Sequence, residues 1–554
     1  HVSEGRSFVE RKDFGVLYGQ KTTEDALLIY SSYEDAKASP KMGDFIVLTP
    51  KDEGGTKYLA RVEAEVYDED PLFRSQDKTL VAVHYARIAE RDLSERDKQK
   101  MFSYTYKVRM LGTFEHKSTS FSFTTAVRKL PVVSYHARHL LPAEVSHILN
   151  MGNQSGVTLG HLCIGDDVQK DKGDILFDTN RLKSKRTMVF AQSGFGKTNL
   201  MKVLLYRIVG DESFGKLIFD LNGEYFSKTT SETIGLGDVD DDRIRKNLVV
   251  YSDRKISKPK GYTYAGKVQI NTHKHMTVGD ILNFSAGFSE VMKSFLLYLD
   301  DNQVEGFIKK IDTYCDEPQK LYQDFPDFFG KKKAGGEKED EKADKSARGT
   351  IMAIRKRIRH FIDEGGVHSS SSTLLEDTFK ALKQGKTIII DLSLRDAVDA
   401  AIISTMIVRK LFEDNKRNYT EAKDEQVIPC VIVVEEAQNV LSDEHVRTAA
   451  NPFVRVAKEG RKFGIGLVAI TQRPSAISEE IRSQAENFFA FYMGNSDDIK
   501  ALVKSNVNYD GVISSFLQRE TIPGNLYFVT SSHPFVIPLR VVEFDKLVAD
   551  KQYK

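Results

Sequence analysis

The chain has 554 residues, and 80 Lys and Arg against 79 Asp and Glu leave a formal net charge of +1. With 40% hydrophobic and 29% charged residues it has an ordinary globular composition, which excludes a disordered or fibrous chain, and its length suits about two to four domains. No run is apolar enough to span a bilayer, the opening residues show no signal-peptide pattern, and Cys163, Cys315 and Cys430 match no metal spacing, so a reduced, cytoplasmic protein with no membrane partner is expected. Near-zero net charge leaves no global basic field, so any nucleic-acid site must be a local patch.

Residues 1–150 read as β-rich. Short β-prone runs at Phe14–Gly19, Ala26–Tyr30, Asp44–Thr49, Lys57–Val66, Thr79–Tyr85, Tyr104–Met110 and Ser118–Thr125 predict a small barrel or sandwich. Glu90–Lys100 reads as a loop or short exposed helix. A connector follows, with apolar stretches Leu159–Gly165 and Ile175–Asp178. From Met188 strands and helices alternate, the mark of a parallel α/β sheet. Lys216–Leu221, Asn247–Tyr251 and Lys267–Ile270 are strand candidates in this first part of the core, residues 151–275. Residues 276–384 break the alternation and read as a helical insertion. Within it the mixed-charge run 331–345 reads as a flexible loop. The helix Thr350–Ile362 carries Ile351, Ile354, Ile358 and Ile362 on one stripe and Arg355, Lys356, Arg357 and Arg359 on the other. That basic face reads either as a solvated surface, the commoner meaning of a charge run, or as a DNA-facing one. Alternation resumes over 385–554, with strands at Lys386–Asp391, Pro429–Val434, Ile465–Thr471, Phe488–Met493 and Leu526–Thr530, and with Phe535–Val541 placed to pair with the last of these.

Two stretches carry the chemistry. In Met188–Phe190, Ala191-Gln-Ser-Gly-Phe-Gly-Lys-Thr-Asn199 and the helical pattern to Val209, a strand, a small-residue loop and a helix follow one another. From its second glycine position this is the phosphate-loop pattern: backbone N–H groups of residues 193–198, that is Ser193, Gly194, Phe195, Gly196, Lys197 and Thr198, would cradle a β-phosphate at a helix N-terminus. Lys197 would reach the β- and γ-phosphates and the Thr198 hydroxyl would bind Mg²⁺, which makes Mg-ATP the expected cofactor. Ala191 stands where the pattern has glycine, which requires a negative φ there. The second stretch, Cys430-Val-Ile-Val-Val-Glu-Glu436, is a buried strand delivering two carboxylates. Glu435, where aspartate is usual, would hold the metal, and Glu436 would orient and deprotonate water. Gln472, ending a neighbouring strand, would sense the γ-phosphate. Arg461 and Lys462 follow a helix, and by spacing alone they read as cations on its C-terminal dipole.

The order of these motifs resembles the HerA family of hexameric DNA-translocating ATPases, in the HerA–FtsK branch of P-loop proteins. The resemblance rests on Gly194–Asn199, Asp220-Leu-Asn-Gly-Glu-Tyr225, Gly385–Ser393, Val433–Asn439, Ile522–Val529 and above all Glu459–Pro474. It implies a RecA-like ATPase core behind an N-terminal β-barrel, a homohexameric ring, and ATP between subunits. Lys197, Thr198, Glu435, Glu436 and Gln472 would then act in cis and Arg461 as a finger in trans, with Asn199 and Glu224 near the nucleotide. Double-stranded DNA would thread the channel. The barrel would dock a nuclease of the NurA kind or an effector of anti-phage defence. Phe195 and Gln438 depart from the family pattern, which has a small residue and a histidine there. The alternatives are a ring scaffold that controls an effector without translocating, and an ATPase acting on protein substrates.

Overall fold

The computed structural model describes residues 13–20, 26–32, 40–51, 55–68, 103–117, 120–140, 144, 148–150, 156–164, 167–168, 173–227, 234–255, 262–283, 287–330, 337–447, 451–531 and 533–549. The expected strand Thr79–Tyr85 and the stretch 90–100 lie outside them. Two compact units are interleaved along the chain: His1–Asp178 with Gln192–Gly196 and Phe488–Val542, and Thr179–Ala191 with Lys197–Asn487 and Glu543–Lys554.

The first unit contains the barrel. Strands Ala26–Ser32, Gly15–Gln20, His136–His139, Phe45–Thr49, Lys57–Asp68 and Ser103–Lys117 neighbour one another in that order, and pairing of the first with the last closes six strands into a ring. Ser120–Thr124 extends the rim as a hairpin on Ser103–Lys117. The interior follows the period-two pattern: Tyr58, Ala60 and Val62 from one strand meet Tyr106 and Val108 from the next, with Val62 and Val108 directly paired. Register shifts at Leu59/Ala60 and Val62/Ala64 bend the longest ladder, as barrel closure requires. The strand His136–His139 was not expected, because its side chains are mostly polar; its backbone fills the gap between Gly15–Gln20 and Phe45–Thr49. The same unit holds a second run of strands in the order Asp174–Phe177, Val157–Ile164, His533–Val541, Asn525–Thr530 and Asn487–Ala490. The expected pairing of the last two long strands is present and antiparallel. The buried Arg61 of the barrel donates to the Val536 carbonyl and lies over the Phe45 ring; burial pulls its pKa down to about 10.

The second unit is a parallel sheet with strands in the order Arg186–Phe190, Ile465–Thr471, Cys430–Val434, Gly215–Asp220, Thr387–Asp391, Leu248–Tyr251 and Thr263–Gly266. Its central strands are buried along their whole length, which is why they read as continuous apolar runs rather than alternating ones. Crossovers include the helices Lys197–Ile208 and Ala397–Thr420. Lys267–Ile270 is not a strand: Val268 and Ile270 are buried, but Ile270 makes only an isolated bridge to His368, and Thr263–Gly266 forms the edge. Their alternation reports burial, not sheet pairing.

The insertion packs its own aromatic core, with the Phe295 ring 5.2–5.5 Å from those of Phe307, Phe325, Phe328 and Phe329. One helix, Glu337–Ile362, runs through most of the segment expected to be a charged loop. Glu, Lys and Ala are strong helix formers, and the buried Ile351, Ile354 and Ile358 anchor the turns from which the helix extends. Arg355 pairs with Asp312 and Asp363 at 2.8 Å, while Lys356, Arg357 and Arg359 are exposed. The insertion is pinned to the core by the buried Arg409, whose guanidinium bonds Asp280, Glu413 and the His275 carbonyl at 2.7–2.8 Å. Among the described residues no helix is long and apolar enough to cross a membrane.

Candidate functional site

Parallel pairing in register brings the strand ends of the second unit to one edge. Phe190 lies opposite Thr471, Val434 opposite Ala469, and Asp220 opposite Asp391. Every residue that follows those ends therefore emerges at the carboxyl edge, where ligands of open α/β sheets bind. Ala191 leaves the first strand with its N–H bonded to the Thr471 carbonyl at 3.2 Å. It is absent from the left-handed region, which meets the condition its missing glycine imposed. Gly194 and Gly196, at φ 84° and 104°, do occupy that region.

The tip of the loop belongs to the first unit. There the Phe195 ring stacks on Tyr492 at 4.5 Å, the Phe195 carbonyl accepts from the Gly524 N–H at 3.1 Å, and Gln192 donates to the Tyr492 carbonyl at 3.3 Å. A Cβ on Gly196 would come within 3.3 Å of the Gly524 nitrogen. The bulky Phe195 is accommodated because its ring has an aromatic partner. Ser193 and Gly194 are exposed.

From Lys197 onward the loop becomes a helix whose first N–H groups have no intrahelical acceptor. Lys197 Nζ stands 3.5 Å from Glu436 Oε1, which also accepts from Gln472 Nε2 at 3.1 Å. The other oxygen, Glu436 Oε2, accepts from Gln438 Nε2 at 2.7 Å, and Gln438 in turn accepts from the Thr471 hydroxyl at 2.6 Å. Glu436 has a φ of 46°, a conformation that non-glycine residues seldom adopt and that clusters at functional sites. Burial raises the proton affinity of this carboxyl, but Gln438, Gln472 and Lys197 outweigh it and hold the pKa below the usual range. Gln438 thereby keeps a donor on the Glu436 carboxylate.

Glu435 differs in every respect. It is 5% exposed, Tyr225 donates its hydroxyl to Oε1 at 2.8 Å, and Asn222 donates to Oε2 at 3.4 Å. Burial, then the neighbouring Asp220, push its pKa up to about 8 despite the Tyr225 hydrogen bond. Asp220 is raised to about 6 by burial, although its carboxylate accepts the backbone N–H groups of Gly223, Glu224 and Tyr225. The Thr198 hydroxyl donates to Glu224 Oε2 at 3.0 Å. The Asn199 Oδ1 accepts the Phe544 N–H at 2.8 Å, which ties that side chain to the start of the last helix. Arg461 does not join this cluster. It sits in the turn after the helix Pro452–Glu459, its side chain is 70% exposed, and its nearest carboxylate is Glu486 at 3.8 Å. Lys462 lies over the Tyr419 and Phe463 rings. Among the described residues no group of three or more His, Cys, Asp or Glu is arranged to hold a metal by itself.

The sequence reading missed Tyr225 and Asn222 as partners of Glu435, and Arg254, which donates to the Gly223 carbonyl at 2.8 Å and pairs with Asp391 at 3.1 Å. Their one signal was the acidic tip Asp220–Tyr225 at a strand end. Nothing local marked Arg254, which comes from a different strand end.

A parallel α/β core whose carboxyl edge carries a Gly-Lys-Thr phosphate loop beside a strand-end glutamate pair defines a P-loop ATPase. Residues 158–411 match the family model for the central domain of helicase HerA. It is 26% identical over 386 residues to the DNA double-strand break repair helicase HerA of Sulfurisphaera tokodaii, covering 68% of this chain and 67% of the relative. Identity to the HerA of Pyrococcus furiosus is also 26% over 386 residues, with 63% of each chain covered. The chain thus spans about two thirds of the length of these relatives. Among solved structures, VirB4 of Thermoanaerobacter pseudethanolicus aligns with a TM-score of 0.43 at 15% identity, over 71% of this chain and 98% of that one.

Proposed function

We propose that the chain is the motor subunit of an ATP-driven homohexameric ring that moves along double-stranded DNA and serves a nuclease or other effector docked on its barrel. The observation that carries this reading is the division of the catalytic set. Lys197 and Gln472 both bond Glu436 within one subunit, while Arg461 projects from the surface with its side chain 70% exposed. In the ring, ATP sits at the subunit boundary and the neighbour's Arg461 completes the charge stabilisation of the transferring phosphoryl group. The names of the HerA relatives, DNA double-strand break repair helicases, support DNA as the substrate.

The residues fit Mg-ATP. The Thr198 hydroxyl and Glu435 carboxylate are hard oxygen donors, and Mg²⁺ takes its remaining ligands from phosphate and water, so no dedicated protein cage is needed. Bound there, the metal supplies neutralisation of phosphate charge. Lys197 binds phosphate oxygens, which releases Glu436 to orient and accept a proton from water, and Gln472 holds that water. The test is steady-state ATPase with and without long duplex DNA at two salt concentrations. Stimulation by duplex that falls with salt is expected, as is loss of turnover with retained nucleotide binding in Glu436→Gln and Arg461→Ala. Hydrolysis indifferent to DNA would transfer the role to a scaffold that controls its effector. Normal hydrolysis by Arg461→Ala would remove the shared site.

A further inference from the structure

We propose that the loop Asp220–Tyr225 is the positioning element of the metal site, and that the Tyr225 hydroxyl orients Glu435 as a ligand for a divalent cation. This rests on the Mg-ATP reading above and assigns a role to residues that reading leaves unused.

The loop is built to be rigid. The Asp220 carboxylate accepts three consecutive backbone N–H groups, those of Gly223, Glu224 and Tyr225, at 2.7–3.2 Å. Gly223 sits at φ 70°, and a Cβ there would lie 1.3 Å from Arg254 Nη2, so the position admits no side chain while Arg254 is in place. Arg254 clamps the turn from outside through the Gly223 carbonyl, Ser393 Oγ and Asp391. From this clamped turn three side chains reach the two residues assigned to the metal. Glu224 accepts a hydrogen bond from the Thr198 hydroxyl, which leaves that oxygen's lone pairs for a cation. Asn222 and Tyr225 donate to the two oxygens of Glu435.

Glutamate has one more rotatable bond than the usual aspartate, so a metal-ligating Glu435 needs a partner to fix its carboxylate plane. A phenol suits this role. It donates one hydrogen bond, carries no charge to repel the cation, and in Tyr225 is fully buried and fixed by packing. Burial also keeps Tyr225 from touching a nucleotide, so it is a positioning residue and not a catalytic one.

The experiment uses the full chain with ADP. Mn²⁺ binding to the protein–nucleotide complex is followed by electron paramagnetic resonance, and nucleotide binding without metal is measured in EDTA with a fluorescent ADP analogue. Tyr225→Phe is expected to weaken Mn²⁺ binding by about 10-fold or more, the usual cost of losing an outer partner of a metal ligand. Metal-free nucleotide affinity should be unchanged, and the Mg²⁺ concentration for half-maximal turnover should rise by the same factor as the Mn²⁺ dissociation constant. Asn222→Ala, which leaves the Tyr225 packing intact, should shift Mn²⁺ binding in the same direction by less. Unchanged Mn²⁺ affinity in Tyr225→Phe, or an equal loss of metal-free nucleotide binding, overturns the inference and leaves the Mg-ATP reading standing. Failure of the wild-type complex to bind Mn²⁺ overturns both.

Discussion

Glu435 and Glu436 are adjacent in the chain and opposite in environment. Glu435 is buried, bonded to a phenol and an amide, and pushed up to about 8; Glu436 has a side chain 27% exposed, bonded to two amides and a lysine, and held below the usual carboxylate range. The backbone separates them. Glu435 follows directly on the buried strand Cys430–Val434 and stays buried, whereas Glu436 turns at φ 46° and presents its carboxylate to Lys197. Two titratable groups driven apart by their surroundings are suited to the two tasks proposed for them, a pattern that recurs in acid–base sites. Glu436, held below the usual carboxylate range, is in its basic form to take a proton from water, and Glu435, pushed up to about 8, gains a reason to ionise when a cation is beside it.

This contrast is tested most severely from outside both clusters. Arg461→Ala is expected to lower turnover by about three to five orders of magnitude, the range seen where arginine fingers are known, with nucleotide affinity little changed in a binding assay. Glu436→Gln should lower turnover by about 10²–10⁴-fold, the usual share of a general base, while Glu435→Gln should instead raise the metal requirement. If the two variants prove indistinguishable in a Mg²⁺ titration, the division of labour fails. Gln438→Ala removes one donor from a charged carboxylate, which is worth about 1.5–3 kcal/mol, so kcat should fall by roughly 10- to 100-fold with KM nearly constant. Gln438→His, which can keep a ring N–H donor at this position, should restore most of that rate.

The protonation difference has its own signature. Because the folded pKa of Glu435 lies above the unfolded value, the native state binds a proton more tightly between pH 4.5 and about 8, and the stability of the metal-free protein should fall as pH rises through that window. Each pH unit is worth at most about 1.4 kcal/mol. Urea unfolding in EDTA should show this slope in wild type; in Glu435→Gln it should vanish above about pH 6 and persist below it, where Asp220, raised to about 6, still titrates. The smallest effect is expected at the loop tip. An aromatic pair is worth about 0.5–1.5 kcal/mol beyond burial, so Tyr492→Leu should weaken nucleotide binding by roughly 2- to 10-fold without changing the metal requirement.

Much of this architecture was legible in the residues alone. Buried parallel strands must be apolar throughout, so Cys430–Val434 and Ile465–Thr471 announced themselves, and a β-prone run at Lys57–Val66 pointed to the barrel strand that spans Lys57–Asp68. Glycines at φ 84° and 104° and a Lys-Thr pair opening a helix are local requirements of phosphate binding, so the loop could be read without its surroundings. The helix starting at Glu337 was misread because charge content speaks for solvation while propensity and an isoleucine stripe further along speak for helix, and here the latter prevail.

By itself, then, the sequence determined the strand order of chemistry: phosphate loop, acidic turn, glutamate pair, glutamine. Each is a short motif whose meaning depends on neighbours within a few residues. Only the tertiary structure decided which partners those groups take. Tyr225 meets Glu435, Gln472 meets Glu436, and Arg254 grips Gly223, because strands far apart in sequence end in register at one sheet edge. Hydrogen bonds and desolvation act over a few ångströms in space, and it is the sheet register, not sequence distance, that sets those ångströms here.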